Sequence, residues 1–236
     1  MMLSIVTPVL NGARFIERNI LAIKQLNIPF EHIIVDGGST DTTLEIISKY
    51  KHIKLLHQEE ATGMYGAIHQ GFLSAKHQYI TWINADDMPI PDNFSEAVEE
   101  ATEKNYDVVY GDSHVFPEDG GAYRYHKANP FGRYFLSKVI LPFVQPSSFY
   151  KRSLYIPSNY FNYKSFKIIG DLDFFMRYTK TDKLKVKYIS KPLSCFFVYA
   201  DSLGGKNSRL ASIERNSLQK KTRWYDIFLF RISKYL

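Results

Sequence analysis

Cysteine is almost missing from this chain: its 236 residues hold one, Cys195. That excludes an intrachain disulfide and any cysteine-rich zinc site. Within Ser194-Cys195-Phe196-Phe197-Val198 the thiol reads as a small core residue, compatible with a reducing compartment. Long apolar runs are missing as well. No stretch approaches about 18 consecutive apolar residues, the length a membrane-spanning helix needs. Neither the Walker pattern nor the dinucleotide G-x-G-x-x-G occurs, and Gly37-Gly38 and Gly204-Gly205 supply neither, which argues against an ATPase or an oxidoreductase. His69, His114 and His126 have no acid or histidine at zinc-ligand spacing, and Ser147-Ser148 has no nearby histidine to build a triad. There is no internal repeat and no low-complexity tract. The first residues run directly into strand-like Leu3-Ser4-Ile5-Val6-Thr7-Pro8 without a basic leader, so the expectation is a cytosolic protein, free or bound to a membrane from that side.

What the chain does have is core-forming material. Hydrophobic residues make up 45%, enough for one large domain or a domain with an appended subregion. The 17 Tyr and 17 Phe allow two readings, a packed core or an extended groove for a flat hydroxylated ligand. The net charge of +6 suits an anionic partner such as a nucleotide diphosphate or an acidic lipid. A nucleic-acid partner is not expected, because that role needs a denser basic stripe interleaved with exposed aromatics.

The first half alternates strand and helix signals. Strands are expected at 3–7, 31–36, 53–57, 79–84 and 107–110. Helices are expected at 13–26, after a cap at Ser39, Thr40 or Asp41, at 64–75 and at 93–104. This rhythm predicts a mostly parallel sheet with helices on both faces. The second half is less regular. Residues 111–130 read as a long excursion, 145–150 as extended, 170–178 as a helix, and 185–189 and 193–198 as strands. Residues 200–208, with Gly204-Gly205, read as a loop able to close over a ligand. From about Arg215 the apolar residues Trp224, Ile227, Phe228, Ile232, Tyr235 and Leu236 follow a helical period, interleaved with Lys220, Lys221, Arg223, Arg231 and Lys234. This tail reads either as an amphipathic helix in an anionic membrane interface or as a terminal helix packed on the domain.

Two acidic clusters stand where strands end. Asp36 closes Ile33-Ile34-Val35-Asp36-Gly37-Gly38, and about 50 residues later Asp86-Asp87 closes Ile80-Thr81-Trp82-Ile83-Asn84-Ala85-Asp86-Asp87. The carboxyl edge of an open α/β sheet is where ligands bind, so the pattern predicts one nucleotide-and-metal pocket. A departing sugar diphosphate needs its growing charge stabilised, and a hard cation held by one or two carboxylates and the phosphates does this. Asp86 and Asp87 are the candidate metal and ribose groups. Asp36 either accepts a hydrogen bond from a pyrimidine N–H or caps the following helix. Attack on an anomeric carbon also needs a base. Asp171 and Asp173 are the candidates; Asp171 is favoured because Asp173 falls further into the helix beside Phe174 and Phe175. Capping by Asp171 is the competing account.

With these segments in view, the chain resembles a family-two glycosyltransferase of the GT-A fold, similar to small bacterial enzymes of cell-surface polysaccharide assembly. The resemblance rests on Ser4-Ile5-Val6-Thr7-Pro8-Val9-Leu10-Asn11, Val35-Asp36-Gly37-Gly38-Ser39-Thr40-Asp41, Gly63-Met64-Tyr65-Gly66-Ala67-Ile68-His69-Gln70-Gly71 and Asn84-Ala85-Asp86-Asp87. Weaker matches are 145–152 and 170–177, so it covers the chain to about residue 200. It implies a GT-A-like mostly parallel mixed sheet flanked by helices, with an acceptor-side subregion. The implied division is a transferase domain at 1–208, whose 1–112 binds the nucleotide-sugar and whose 113–208 serves the acceptor, followed by a basic amphipathic helix at 209–236. Thr7, Pro8, Asp36, Asn84 and Asp86 are expected at the nucleotide, Asp86 and Asp87 at a Mn2+ or Mg2+ ion, and Asp171 as the base of an inverting transfer. The implied partners are a nucleotide-sugar, a UDP-sugar in the first instance, and a saccharide or lipid-linked acceptor, with the protein cytoplasmic or peripheral on the cytoplasmic face of the inner membrane.

Three departures from the family pattern stand out: Asn84 where the metal motif often begins with Asp, Gly170 where an acid usually precedes the base, and Gly66 and His69 where an Asp and an Asn are common. Two rival readings remain. A sugar nucleotidyltransferase would carry a glycine-rich basic loop after its first strand, and Pro8-Val9-Leu10-Asn11-Gly12-Ala13-Arg14 holds one base. A non-catalytic nucleotide-sugar-binding module of a membrane assembly complex would tolerate Asn84 and Gly170.

Overall fold

The computed structural model describes residues 2–117, 122–155, 161–178, 183–199, 207–218 and 222–234. The loop containing Gly204-Gly205 lies outside them. At the centre is β1 (Leu3–Val9), buried along its whole length, as a strand covered on both faces must be. It pairs in parallel with β2 (Phe30–Asp36) on one side and β4 (Tyr79–Trp82) on the other, and β3 (Ile53–His57) extends the sheet beyond β2. The crossovers carry α1 (Ile16–Lys24), α2 (Thr43–Ser48) and α3 (Met64–Ser74). α1 buries Ile16, Ile20 and Ile23, a stripe at helical spacing. α3 lies close on β1, where a Cβ on Gly71 would fall 2.4 Å from a Val6 methyl.

The chain runs outward from β1 to β2 and β3, then returns to set β4 on the other side of β1. Such a reversal opens a crevice beyond the carboxyl ends of the two strands. Past β4 the sheet becomes mixed. After β5 (Met88–Pro89) and α4 (Pro91–Lys104) come β6 (Val108–Pro117), β7 (Arg124–His126), α5 (Gly132–Leu136), β8 (Ser148–Lys151), α6 (Arg152–Tyr155), α7 (Gly170–Tyr178) and β9 (Val186–Val198). Among the described residues the sheet has nine strands in the order β3-β2-β1-β4-β8-β6-β9-β5, with β7 on β6.

Two expectations are corrected here. Residues 111–117 continue β6 rather than begin an excursion, because they pair with both β7 and β9. The two strands expected at 185–189 and 193–198 are one. Its ladder to β6 shifts register around Asp112, opposite Pro192, and such an irregularity is where a residue without an N–H is tolerated in a strand.

The rings of Phe72, Trp82, Tyr150, Phe161, Phe174 and Phe175 pack together in the main core, with Phe161 stacked on Phe174 at 4.5 Å. For these residues the core reading of the aromatic surplus holds.

The single tail helix expected from about Arg215 is also corrected. The structure shows α8 (Ser208–Ser217) and α9 (Trp224–Ser233). Lys220, Lys221, Tyr235 and Leu236 lie outside the described residues. α8 is tied to the domain through Glu214, whose carboxylate accepts the backbone N–H groups of Lys167, Ile168 and Ile169 at 2.8–3.1 Å. α9 is held from one side: Asn129 Nδ2 donates to Phe230 O and Ser233 Oγ, and Phe135 meets Phe230 edge-on. Its other side leaves Trp224 79% and Phe228 56% exposed, with Ile227 and Ile232 beside them. None of the described helices is long and apolar enough to cross a membrane.

Candidate active site

A cleft of about 960 Å³ opens at the crevice between β1 and β4. It is lined by Pro8 and Val9 at the end of β1 and by Leu10 to Gly12 beyond it, by Gly37 after β2 and by Asn84 to Asp86 after β4. The start of α3, the 141–146 segment and Asp171 of α7 complete the lining. The volume lies within the range of small-ligand sites.

The loops after β1 and β2 are tied together by polar bonds. Gly37 N–H donates to Val9 O at 2.8 Å, Asn11 N–H to Ser39 Oγ at 2.8 Å, and Thr40 N–H to Asn11 Oδ1 at 2.8 Å. Asn11 takes φ +51°, a region its short polar side chain tolerates better than most. Asp41 braces both sides by accepting Ala13 N–H and the N–H of Thr43 at the start of α2. The Thr43 hydroxyl bond is the main reason the Asp41 carboxyl is held below the usual carboxylate range.

Asp36 and Thr7 sit behind this rim. Asp36 is 1% exposed, and its oxygens accept the N–H groups of Gly38 and Ser39 at 3.0–3.2 Å. Its carboxylate shapes the turn that presents Gly37 to the cleft. Thr7 is fully buried, with its hydroxyl 2.9 Å from His32 Nε2 and in contact with Asn19 Oδ1.

The acidic turn after β4 divides its two carboxylates. Asp86 lines the cleft. Asp87 turns back into the domain, 1% exposed, where it accepts Phe197 N–H at 3.1 Å and Asn84 Nδ2 at 3.3 Å. Burial and the neighbouring Asp86 charge push its carboxyl well above the usual range. The expectation that both acids reach a shared region is therefore corrected: Asp87 anchors the turn, and Asp86 is presented.

The turn is held from below by two α1 residues that the sequence did not flag. Buried Asn19 donates Nδ2 to Asn84 O at 3.0 Å and to Asp87 O at 2.9 Å. Arg18 donates to Asp86 O at 2.8 Å and to the Tyr199 hydroxyl, and its guanidinium lies 3.8 Å from the Phe197 ring centroid. The available signal was Asn19 itself, an amide standing inside the apolar stripe of Ile16, Ile20 and Ile23.

Asp171 lines the same cleft from the first turn of α7. It accepts its neighbour Leu172's N–H at 2.8 Å and the Tyr65 hydroxyl at 3.3 Å. Burial pushes its carboxyl up, and these donors, with Arg215, pull it part of the way back. Asp173 is 7% exposed and is paired with Arg177 at 2.8 Å. Pro8, Asn84, Asp86 and Asp171 thus share one cleft, while Thr7, Asp36 and Asp87 lie in its supporting wall.

The residues around Asp86 fit a divalent cation. No group of three His, Cys, Asp or Glu gathers among the described residues. However, magnesium-type sites often take one or two carboxylates and fill the rest of the shell with phosphate and water. Asp86 supplies such a carboxylate, and the buried Oδ1 of Asn84 has no hydrogen-bond partner among the described residues, which leaves an acceptor for a metal-bound water or a ribose hydroxyl.

The chain is similar to known proteins in both sequence and fold. The family described as Glycosyl transferase family 2 matches residues 4–167, a span that ends before Asp171. Glycosyltransferase GlyG of Streptococcus pneumoniae is 33% identical over 137 residues, which cover 55% of this chain and 45% of GlyG. The undecaprenyl-phosphate 4-deoxy-4-formamido-L-arabinose transferase of Pectobacterium carotovorum is 33% identical over 115 residues, 45% of this chain and 35% of that protein. The chain therefore spans under half the length of these two curated relatives. Among solved structures, S. aureus TarS 1–349 in complex with UDP-GlcNAc superposes with a TM-score of 0.70 at 18% identity, over 91% of this chain and 66% of that one. At that identity the likeness establishes the fold, which is the GT-A-like architecture expected.

Proposed function

The chain belongs to glycosyl transferase family 2, and from that premise we propose that it transfers a sugar from a UDP-sugar to a hydroxyl of a saccharide or lipid-linked acceptor in cell-surface polysaccharide assembly. The observation that carries this reading is that Asp86 and Asp171 line one cleft at the sheet's switch point. In this reading one carboxylate holds a cation that meets the diphosphate, and the other takes a proton. The TarS structure with UDP-GlcNAc supports the donor class, and the undecaprenyl-phosphate transferase supports a lipid-linked partner.

In the proposed reaction Asp171 accepts the proton of the acceptor hydroxyl. The freed oxygen attacks the anomeric carbon from the face opposite the diphosphate, so configuration inverts. The bond between that carbon and the phosphate oxygen breaks, and its electron pair leaves with UDP. Asp86 and Asn84 would hold Mn2+ or Mg2+, which when bound supplies positive charge to the departing diphosphate. Arg18 and Asn19 keep Asp86 aimed at the cleft by gripping its turn. Burial of Asp171 favours its neutral form, which suits a group that must take up a proton as the hydroxyl attacks.

α9 adds a site of attachment in this reading. Its exposed Trp224, Ile227, Phe228 and Ile232, with Arg231 on the same side, match a helix lying in an anionic membrane interface while its other face stays docked on the domain.

The test begins with a panel of UDP-sugars screened by thermal shift with Mn2+, since a bound donor raises apparent stability. With the donor so found, Asp171→Asn is expected to lower sugar transfer by about 10³-fold while leaving UDP affinity within about twofold. Equal loss of both would assign Asp171 a structural role. Formation of UTP and sugar 1-phosphate when pyrophosphate is added, in place of UDP release, would instead identify a nucleotidyltransferase.

A further inference from the structure

Gly170 stands where the family pattern usually has an acid, and the structure shows what occupies that space. A Cβ built on Gly170 would lie 2.6 Å from Tyr65 Cδ2 and 2.7 Å from Cε2. The Tyr65 ring therefore takes the volume that any side chain at 170 would need. It is 4% exposed, stacked on Phe161 at 5.6 Å, and fixed at the start of α3. Its hydroxyl reaches Ile168 O at 3.0 Å and Asp171 Oδ1 at 3.3 Å. One proton thus serves two acceptors that flank Gly170 in sequence. The Tyr65 hydroxyl and the Leu172 N–H both meet Asp171 on Oδ1.

We infer that Tyr65 is the positioning residue for Asp171: its hydroxyl fixes Oδ1, and its ring replaces the side chain that position 170 lacks. The inference rests on the reading of Asp171 as the base. In this role Tyr65 acts through Asp171. A hydrogen bond donated to a carboxylate favours its charged form, and Tyr65 is among the groups that hold the Asp171 carboxyl below where burial alone would set it. The other groups facing this pair are Arg215, which acts on Asp171 from α8, and Glu214, which acts on Tyr65 from the same helix. On α7 itself Asp173 is engaged by Arg177. Burial and the Asp171 charge keep the Tyr65 hydroxyl protonated well past its ordinary range, so it remains a donor throughout the working pH.

The experiment is a pH titration of aspartate carboxyl carbons by 13C NMR on the full chain, with Asp171→Asn used to assign the Asp171 signal. Tyr65→Phe keeps the ring and removes the donor. It is expected to move the Asp171 midpoint upward by about one pH unit. Gly170→Ala keeps the hydroxyl on residue 65 but displaces the ring that carries it, and is expected to move the midpoint in the same direction. In a parallel UDP-release assay with the donor found above, the acid limb of Tyr65→Phe should shift upward by the same amount, with full rate regained at higher pH. An Asp171 midpoint unchanged in both variants would overturn the role given to Tyr65, whatever the activity of Asp171→Asn. Retention of transfer by Asp171→Asn would instead overturn the base assignment, even if the midpoint moves.

Discussion

At the scale of single residues, burial sets the chemistry more than sequence neighbours do. Asp86 and Asp87 are adjacent, yet one reaches the cleft and the other accepts a backbone N–H inside the domain. The same logic gives a stability prediction at His32. This ring is fully buried next to Thr7, and desolvation, with His52 adding to it, lowers its pKa from 6.5 to about 3. Above pH 6.5 the ring is neutral in both folded and unfolded chains and contributes no pH dependence. Between 6.5 and about 3 the unfolded chain takes up a proton that the folded chain does not, so stability falls as pH falls. From pH 6.5 to 5 this one group should remove about 2 kcal/mol. Urea unfolding at the two pH values checks it, with His32→Gln expected to show a correspondingly smaller drop. An equal drop in both proteins would remove His32 as the cause. Asp36 and Thr7 were legible as belonging to the functional edge, but not as parts of its wall. Nothing in the run Val35-Asp36-Gly37-Gly38 indicates that the carboxylate folds back onto the two amides that follow it.

At the scale of elements, the parallel half was legible because each strand there is a continuous apolar run ended by a polar break. The positions of β1 to β4 and of α1 and α3 follow the hydrophobic pattern closely. The mixed half was harder. Pro192 reads as a strand breaker, and the bulge that accommodates it is a property of the pair β6–β9, which neither segment carries alone. The clamp on the acidic turn was hidden for a related reason. Arg18 looks like a solvated helix residue, and only the packing of α1 beneath the 84–87 turn gives its guanidinium a carbonyl and a ring to meet. In the tail, the helical period of 224–236 was visible, but the break before α9 and its one-sided docking were not. The exposed side of α9 gives the prediction at this scale. The protein is expected to float with phosphatidylglycerol-containing vesicles and to lose about tenfold in binding when Trp224 and Phe228 are both replaced by Ser. Vesicles of phosphatidylcholine alone should retain little. Equal recovery with and without anionic vesicles would leave α9 as a packing element only.

At the scale of the whole molecule, the reversal of strand order around β1 accounts for where everything falls. It places the loops after β1, β2 and β4 at one end of the sheet, and α7 lines the same cleft. In the proposed reading this chamber takes the diphosphate beside Asp86 and the acceptor beside Asp171. The central claim is that this chamber holds a nucleotide diphosphate through a cation on Asp86. Isothermal titration of UDP into the full chain, with and without Mn2+, tests it most directly. The account predicts that Mn2+ tightens UDP binding by tenfold or more, on the order expected for one carboxylate-held ion, and that Asp86→Ala abolishes the difference. The same UDP affinity in both conditions, or a Mn2+ effect that survives Asp86→Ala, would contradict it.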